Sequence, residues 1–488
     1  MLFNSYIFIF AFLPLCILGF YLIKRINVEA AKIWLIAFSL WFYGYFNLYY
    51  LAIMVGSVGI NYCFYRLFER TSKRKALLAV AVTANLAVLF YFKYYDFFIE
   101  NINLVFSQSF ALRHILLPLG ISFFTFQQIS FLHDAYDGKV KDVKFTDYAL
   151  FITFFPQLIA GPIVTADEML PQFKDIGRSR FDAERFAGGV FIFVMGLAKK
   201  VIIADTFGKA VDFGYENVLS VTALEALLVV LFYTLQLYFD FSGYCDMAIG
   251  IGRLLGFEIA LNFNSPYKAC NIIDFWKRWH ITLSRFFTRN IYIPLGGNRK
   301  GNFRMYLNLF IVFFLSGLWH GAGWNFILWG CMHGLLYVIT RAWQKHKKTE
   351  KERDIPALKA LNTLLTFAFV ALAWVFFRAA NVGEAVKLLS RIGEGTWTVG
   401  TQMAQLFNLG EFWYVLKILH ISELAYGKYI IMVLFTVICC LIVFFAPNVH
   451  QLQAKMKFGT IHAIICGVVF IWCVVSLSGV GTFLYFNF

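Results

Sequence analysis

Charge is scarce in this sequence. Only 15% of its 488 residues are Asp, Glu, Lys or Arg, and the mean hydropathy is +0.68, which excludes an ordinary soluble domain. Acid is the scarcer sign, with 28 acidic residues against 43 basic ones. In a membrane chain such an excess sets loop topology and touches anionic lipid, so lipid rather than nucleic acid is the expected partner. The nine cysteines form no C-x-x-C pair; neither a zinc site nor a disulfide framework is indicated, and no metal is expected. H-E-x-x-H and G-x-S-x-G are both missing, which removes the zincin and nucleophile-elbow chemistries. The glycine turn Pro294-Leu295-Gly296-Gly297-Asn298-Arg299 lacks the spacing of a phosphate loop. No low-complexity linker divides the chain, so one domain is expected. No inverted repeat is visible either, which weighs against a secondary transporter.

What is present is apolar. Runs of about 17–20 apolar residues are long enough to cross a bilayer as helices, and 58 Phe with 12 Trp suit lipid-facing surfaces and interfacial belts. The first run, Tyr6 to Ile23, is followed directly by Lys24 and Arg25 and reads as a retained span rather than a cleaved signal. Loop charge sets orientation. Residues 66–75, 275–304 and 341–359 are strongly basic and are expected to be cytoplasmic. Residues 378–427 balance their charges and read as a long external segment with helices along the membrane. Consistent spans lie near 6–23, 33–47, 49–66, 76–92, 115–132, 187–204, 222–239, 305–320, 324–340, 361–377, 428–446 and 460–478. The expected fold is therefore an all-α integral membrane protein of about 11–12 transmembrane helices, with both termini outside. Two segments look re-entrant: 148–164, broken by Pro156 and Gly161-Pro162, and 240–258, which opens on Asp240-Phe241-Ser242-Gly243. Irregular backbone at membrane depth needs burial in protein or a wet cavity.

Ionisable groups at that depth are expensive and draw attention as functional sites. His320 follows the apolar run Met305–Trp319, and about fifteen helical residues rise roughly 22 Å. The flanks on both sides read as cytoplasmic, so 305–340 is a hairpin with His320 deep within it. There it is either a general base for an incoming hydroxyl or a histidine bonded to a carbonyl as helical glue. His280 lies in the basic, Trp-rich stretch Asp274-Phe275-Trp276-Lys277-Arg278-Trp279-His280, and is either chemical or part of an interfacial belt. Lys277, Arg278, Arg285, Arg289 and Arg299 form a basic run able to attract the phosphates of a cytoplasmic coenzyme A thioester. His114, His133, His333, His346, His420, His450 and His462 show no ligand spacing and read as loop, interface or packing residues. The C-terminal stretch Gly481–Phe488 carries one phenol, Tyr485, in a short apolar peptide that reads either as a frayed helix end or interfacial aromatic belt, or as a mobile exit-side tail.

Taken together, Asp274–Gly301, Leu318-Trp319-His320-Gly321, Phe155–Pro162 and Tyr238–Tyr244 resemble the membrane-bound O-acyltransferase family, in its alginate O-acetyltransferase type. The resemblance covers essentially the whole chain. It implies a multi-helix membrane fold pierced by a central funnel. It puts the family's catalytic histidine on His320 and its second histidine on His280. It also implies transfer of an acetyl group from a cytoplasmic thioester such as acetyl-CoA to an envelope or secreted polysaccharide, with a separate extracytoplasmic acetyltransferase completing the transfer. Some members end in a hexapeptide with a tyrosine acyl shuttle; Phe483–Phe488 is similar, which puts that role on Tyr485. The domain expectation is then a transmembrane body over 1–478 and an extracytoplasmic tail over 479–488, in the inner membrane of a bacterial cell. The rivals are a transporter or flippase of an acyl donor or glycan lipid, an acyltransferase with a protein or lipid acceptor or D-alanyl cargo, and a scaffold that only recruits the finishing transferase.

Overall fold

The computed structural model describes residues 1–177, 180–346, 355–409, 413–420, 424, 426–479, 481 and 483–484. Every regular element among them is helical. Seven helices have the length and apolar composition to cross a membrane: Leu48–Phe68, Arg74–Lys93, Ala183–Glu216, Ala223–Leu254, Gly301–His320, Pro356–Arg378 and Gly427–Phe444. Two shorter apolar helices, Phe8–Lys24 and Thr460–Val475, accompany them. The chain is a multi-pass membrane protein. Several expected spans fall on helices outside this set, including Val28–Gly44, Ile121–Tyr136 and Trp324–His346.

The Cα framework divides into two compact units, residues 1–193 with 247–260 and residues 194–246 with 261–488. In the first, short polar residues set the helix starts. Asn27 accepts the Ala30 N–H at 3.0 Å and Asn47 accepts the Tyr49 N–H at 2.8 Å, each satisfying an orphan donor of the first turn. Apolar burial alone gives helices little reason to associate in lipid, so polar contacts contribute. The Gln128 side-chain oxygen accepts from Ser57 at 2.9 Å and from Asn61 at 2.6 Å, and Asn85 donates to Asn61 at 2.6 Å. The segment expected to be irregular around Pro156 is so. The helix Phe145–Thr153 stops at Phe154, a four-residue helix Phe155–Leu158 follows, and residues 151–164 are buried in protein, as unpaired backbone in an apolar setting requires.

The expectation of irregular backbone at 240–258 is corrected. Ala223–Leu254 is one continuous helix of 32 residues. Its Gly243 does not break it. A Cβ there would stand 2.8 Å from the Gly196 carbonyl oxygen, so the glycine permits a close crossing with the helix Ala183–Ala198. Ala183–Ala198 continues through a π-helical stretch, Lys199–Ala204, into Asp205–Glu216. The wider turn presents two successive lysines to the facing helix: Lys199 pairs with Asp246 at 2.6 Å and Lys200 with Asp240 at 2.7 Å. The polar residues that made 240–258 look irregular are thus satisfied across helices. The long segment 378–427 contains the short helices Val382–Gly393, Thr401–Gln405 and Trp413–Ile418.

Candidate active site

All of the site described here lies within the second unit. The helices Gly301–His320 and Trp324–His346 form the expected hairpin. They approach so closely that a Cβ on Gly317 would collide with the Phe326 carbonyl oxygen. Asn325, just past the turn, donates to the Phe376 and Ala379 carbonyls at 3.2 and 2.8 Å, tying the hairpin tip to the end of the helix Pro356–Arg378. His320 is the last residue of its helix and is buried. Aromatic rings surround it: Trp319 at 4.7 Å, Trp329 at 5.1 Å and perpendicular, and Phe377 at 5.1 Å between ring centroids. These rings pack the imidazole on three sides.

The structure brings His280 to the same spot. The two imidazole centroids are 6.4 Å apart, too far for a direct hydrogen bond but near enough to flank one small group. His280 adopts φ 45°, ψ 52°, a left-handed conformation uncommon for residues other than glycine and often found at functional positions. Asn262 holds it there. The Asn262 carbonyl accepts the Ile281 N–H at 3.0 Å, while its side-chain oxygen accepts the Thr282 N–H at 3.2 Å and the Thr282 hydroxyl at 2.9 Å. His280 Nδ1 is 3.2 Å from that same oxygen. An amide oxygen can only accept, so Nδ1 carries the proton and Nε2 keeps its lone pair. His280 is outside the spanning helices, and burial pulls its pKa down to about 3. The ring is therefore neutral through the physiological range.

Of the five basic residues expected to meet a donor, three share one groove. Lys277, Arg285 and Arg289 line a cavity of about 520 Å³ with Trp276, Phe287, Tyr292, Phe313 and Tyr337 among its walls. Arg278 is engaged elsewhere: its Nε is 2.8 Å from Asp274 Oδ1. Arg299 does not line the groove and is exposed. The Trp276 wall is fixed by a bond from its indole N–H to His333 Nδ1 at 3.3 Å, which gives that histidine a packing role.

Tyr485 lies outside the described residues. The two tail residues before it are described. Phe483 is buried, with its ring 4.9 Å from Tyr244 and 4.7 Å from the Lys200 ammonium. The Leu484 N–H donates to Asp240 Oδ2 at 3.1 Å. Leu484 lines a cavity of about 490 Å³ together with Lys200, Asp205, Gln236, Asn325, Phe326, Phe377 and Arg378. Among the described residues no group of three or more His, Cys, Asp or Glu side chains is arranged to hold a metal ion.

The sequence profile of the membrane-bound O-acyltransferase family matches residues 35–358. The chain is 45% identical over 419 residues to the peptidoglycan O-acetyltransferase of Helicobacter pylori, covering 80% of this chain and 79% of that protein. It is 39% identical over 417 residues to the probable alginate O-acetylase of Pseudomonas aeruginosa, covering 81% and 76%. A teichoic acid D-alanyltransferase of Streptococcus thermophilus is 27% identical over 293 residues, covering 54% and 69%. The chain belongs to the membrane-bound O-acyltransferase family. It is an O-acyltransferase.

For such an O-acyltransferase, sequence reasoning missed Asn262, the residue that sets the tautomer and backbone of His280, and Lys200, the counter-ion of Asp240. Asn262 carried no signal, being one amide eighteen residues before its partner. Lys200 carried a faint one: a Lys199-Lys200 pair within an apolar run is costly at membrane depth unless partnered.

Proposed function

We propose that this chain takes an acetyl group from cytoplasmic acetyl-CoA and delivers it across a bacterial inner membrane for O-acetylation of an envelope polysaccharide or peptidoglycan, with Tyr485 as the acyl carrier. The observation that carries this reading is a shared wall. Phe377 packs on His320 at 5.1 Å and lines the same cavity as Leu484, so the residue next to Tyr485 and a ring packed on the candidate base face one cavity. In this reading residues 1–478 are the catalytic body and 479–488 the shuttle tail, and the basic loops at 66–75, 275–304 and 341–359 face the cytoplasm.

The steps balance as acyl transfer. The groove lined by Lys277, Arg285 and Arg289 attracts the phosphates of the donor and leads its thioester toward the two histidines. His320 takes the phenolic proton as the Tyr485 oxygen attacks the thioester carbonyl. The C–S bond breaks, the thiolate takes that proton back from the imidazolium, and the products are the thiol and a tyrosyl ester. The neutral His280 orients the reacting groups. A thiol near ~8.5 and a phenol near ~10 bracket the leaving groups, with sugar hydroxyls higher, so the tyrosyl ester remains activated toward a hydroxyl outside. A separate extracytoplasmic acetyltransferase then moves the acetyl group to the polymer. The names of the relatives support the acetyl cargo and the polymer acceptor.

The test is mass spectrometry of the C-terminal peptide after incubation with labelled acetyl-CoA. Label on Tyr485 in the wild type, and loss of polymer acetylation with retained donor binding in Tyr485→Phe, support the carrier. Wild-type polymer acetylation in Tyr485→Phe refutes it.

A further inference from the structure

Where the π-helical stretch Lys199–Ala204 faces the helix Ala223–Leu254, three ionisable side chains meet: Lys200 and Asp240, both buried, and Asp205, which is partly exposed. Lys200 Nζ lies 2.7 Å from Asp240 Oδ1 and 2.8 Å from Asp205 Oδ1. Lys200 and Asp240 are each only 2% exposed. A buried ion pair of this kind is weak evidence for stability, since desolvation offsets its attraction; two carboxylates about one ammonium are harder still to explain as glue. The geometry gives the cluster another use. Lys200 occupies one oxygen of Asp240, and the other accepts the Leu484 N–H at 3.1 Å. The same lysine faces the Phe483 ring at 4.7 Å, a cation–π contact, and Tyr244 closes on that ring edge-to-face at 4.9 Å. The π-helical stretch Lys199–Ala204, a feature enriched at functional positions, begins with these lysines.

We propose that Lys200 and Asp240 form a latch for the C-terminal tail, Asp240 binding its backbone at Leu484 and Lys200 with Tyr244 binding the Phe483 ring. These are positioning residues: the latch rests on the reading of Tyr485 as acyl carrier and sets where that residue can reach. Consecutive Cα atoms are 3.8 Å apart, so fixing Leu484 limits how far the residue that follows it can travel. A free flexible tail would present its phenol at an effective concentration of only about millimolar; a latched one presents it far more often in a productive pose. Recognition through a backbone N–H and one aromatic ring uses no atom of the phenol itself.

The experiment separates latch from carrier by using two readouts on the full chain. Hydrogen–deuterium exchange of the C-terminal peptide reads the latch directly: the Leu484 amide should exchange at least tenfold more slowly than in the free synthetic peptide, and the protection should vanish in Asp240→Ala. Because that variant alters a buried pair, a second change is placed in the tail, where it leaves the helices intact. Leu484→Pro deletes the donated N–H and Leu484→Ala keeps it. In single turnovers with labelled acetyl-CoA, Leu484→Pro should acetylate Tyr485 roughly 10- to 100-fold more slowly than Leu484→Ala, the range expected for one hydrogen bond to a charged group. Exchange of the wild-type Leu484 amide at the free-peptide rate, or equal rates for the two Leu484 variants, overturns the latch. A protected amide with no label on Tyr485 under any condition instead overturns the carrier reading, and with it the latch's part in catalysis.

Discussion

Asn262 offers the sharpest test of how His280 is held. Its side-chain oxygen serves Thr282 N–H, Thr282 hydroxyl and His280 Nδ1 at 3.2, 2.9 and 3.2 Å, and all three residues are buried. Leucine at this position has nearly the same volume and accepts nothing. Each buried donor that loses its acceptor costs about 1–3 kcal/mol. The hydroxyl can rotate, so two donors set the scale and Asn262→Leu should destabilise by roughly 2–6 kcal/mol. The same change frees the His280 ring to swap tautomer and rotate, and a misplacement of that size costs on the order of 100-fold in rate. Asn262→Asp keeps the acceptor and should restore folding. It also places a carboxylate beside Nδ1–H, which favours the charged imidazolium and raises the His280 pKa from about 3. Activity of the Asp variant should therefore be lost at a higher pH than that of the wild type as the medium is acidified, because its ring takes a proton first. The assays are thermal unfolding in detergent and single-turnover acetyl transfer across pH 5–8. An Asn262→Leu protein with wild-type melting temperature and wild-type rate would refute the reasoning.

The donor groove makes a prediction of contrast. Charge reversal at Arg285 or Arg289, which line the groove, should raise KM for acetyl-CoA about tenfold with little change in kcat, and the effect should shrink at high salt; steady-state kinetics at two ionic strengths checks it. The same reversal at Arg299, outside the groove, should leave KM unchanged.

Much of this site was legible because it is local or periodic. The apolar runs give the helices and the run before His320 gives the hairpin. The kink at Pro156 is read directly, since a proline and a Gly-Pro pair leave little alternative to irregular backbone. The rest depends on partners far apart in sequence. Gly243 in a polar-looking stretch signals equally a break or a close helix crossing, and only the facing Gly196 carbonyl decides. Arg278 looks like its neighbours but is taken by Asp274 one helical turn earlier, a pair whose i, i+4 spacing is visible in the sequence. Asn262 and the Lys200–Asp240 pair become meaningful only once the chain brings them to His280 and to the tail.

The central claim is that His320 removes the proton from the tail phenol as the thioester is attacked. Its most direct measurement is the rate at which label from acetyl-CoA appears on the C-terminal peptide in His320→Ala. The account predicts a correctly folded protein that binds donor and leaves Tyr485 unlabelled, with loss of at least 100-fold for removal of a general base. Labelling of Tyr485 at the wild-type rate in that variant would contradict it.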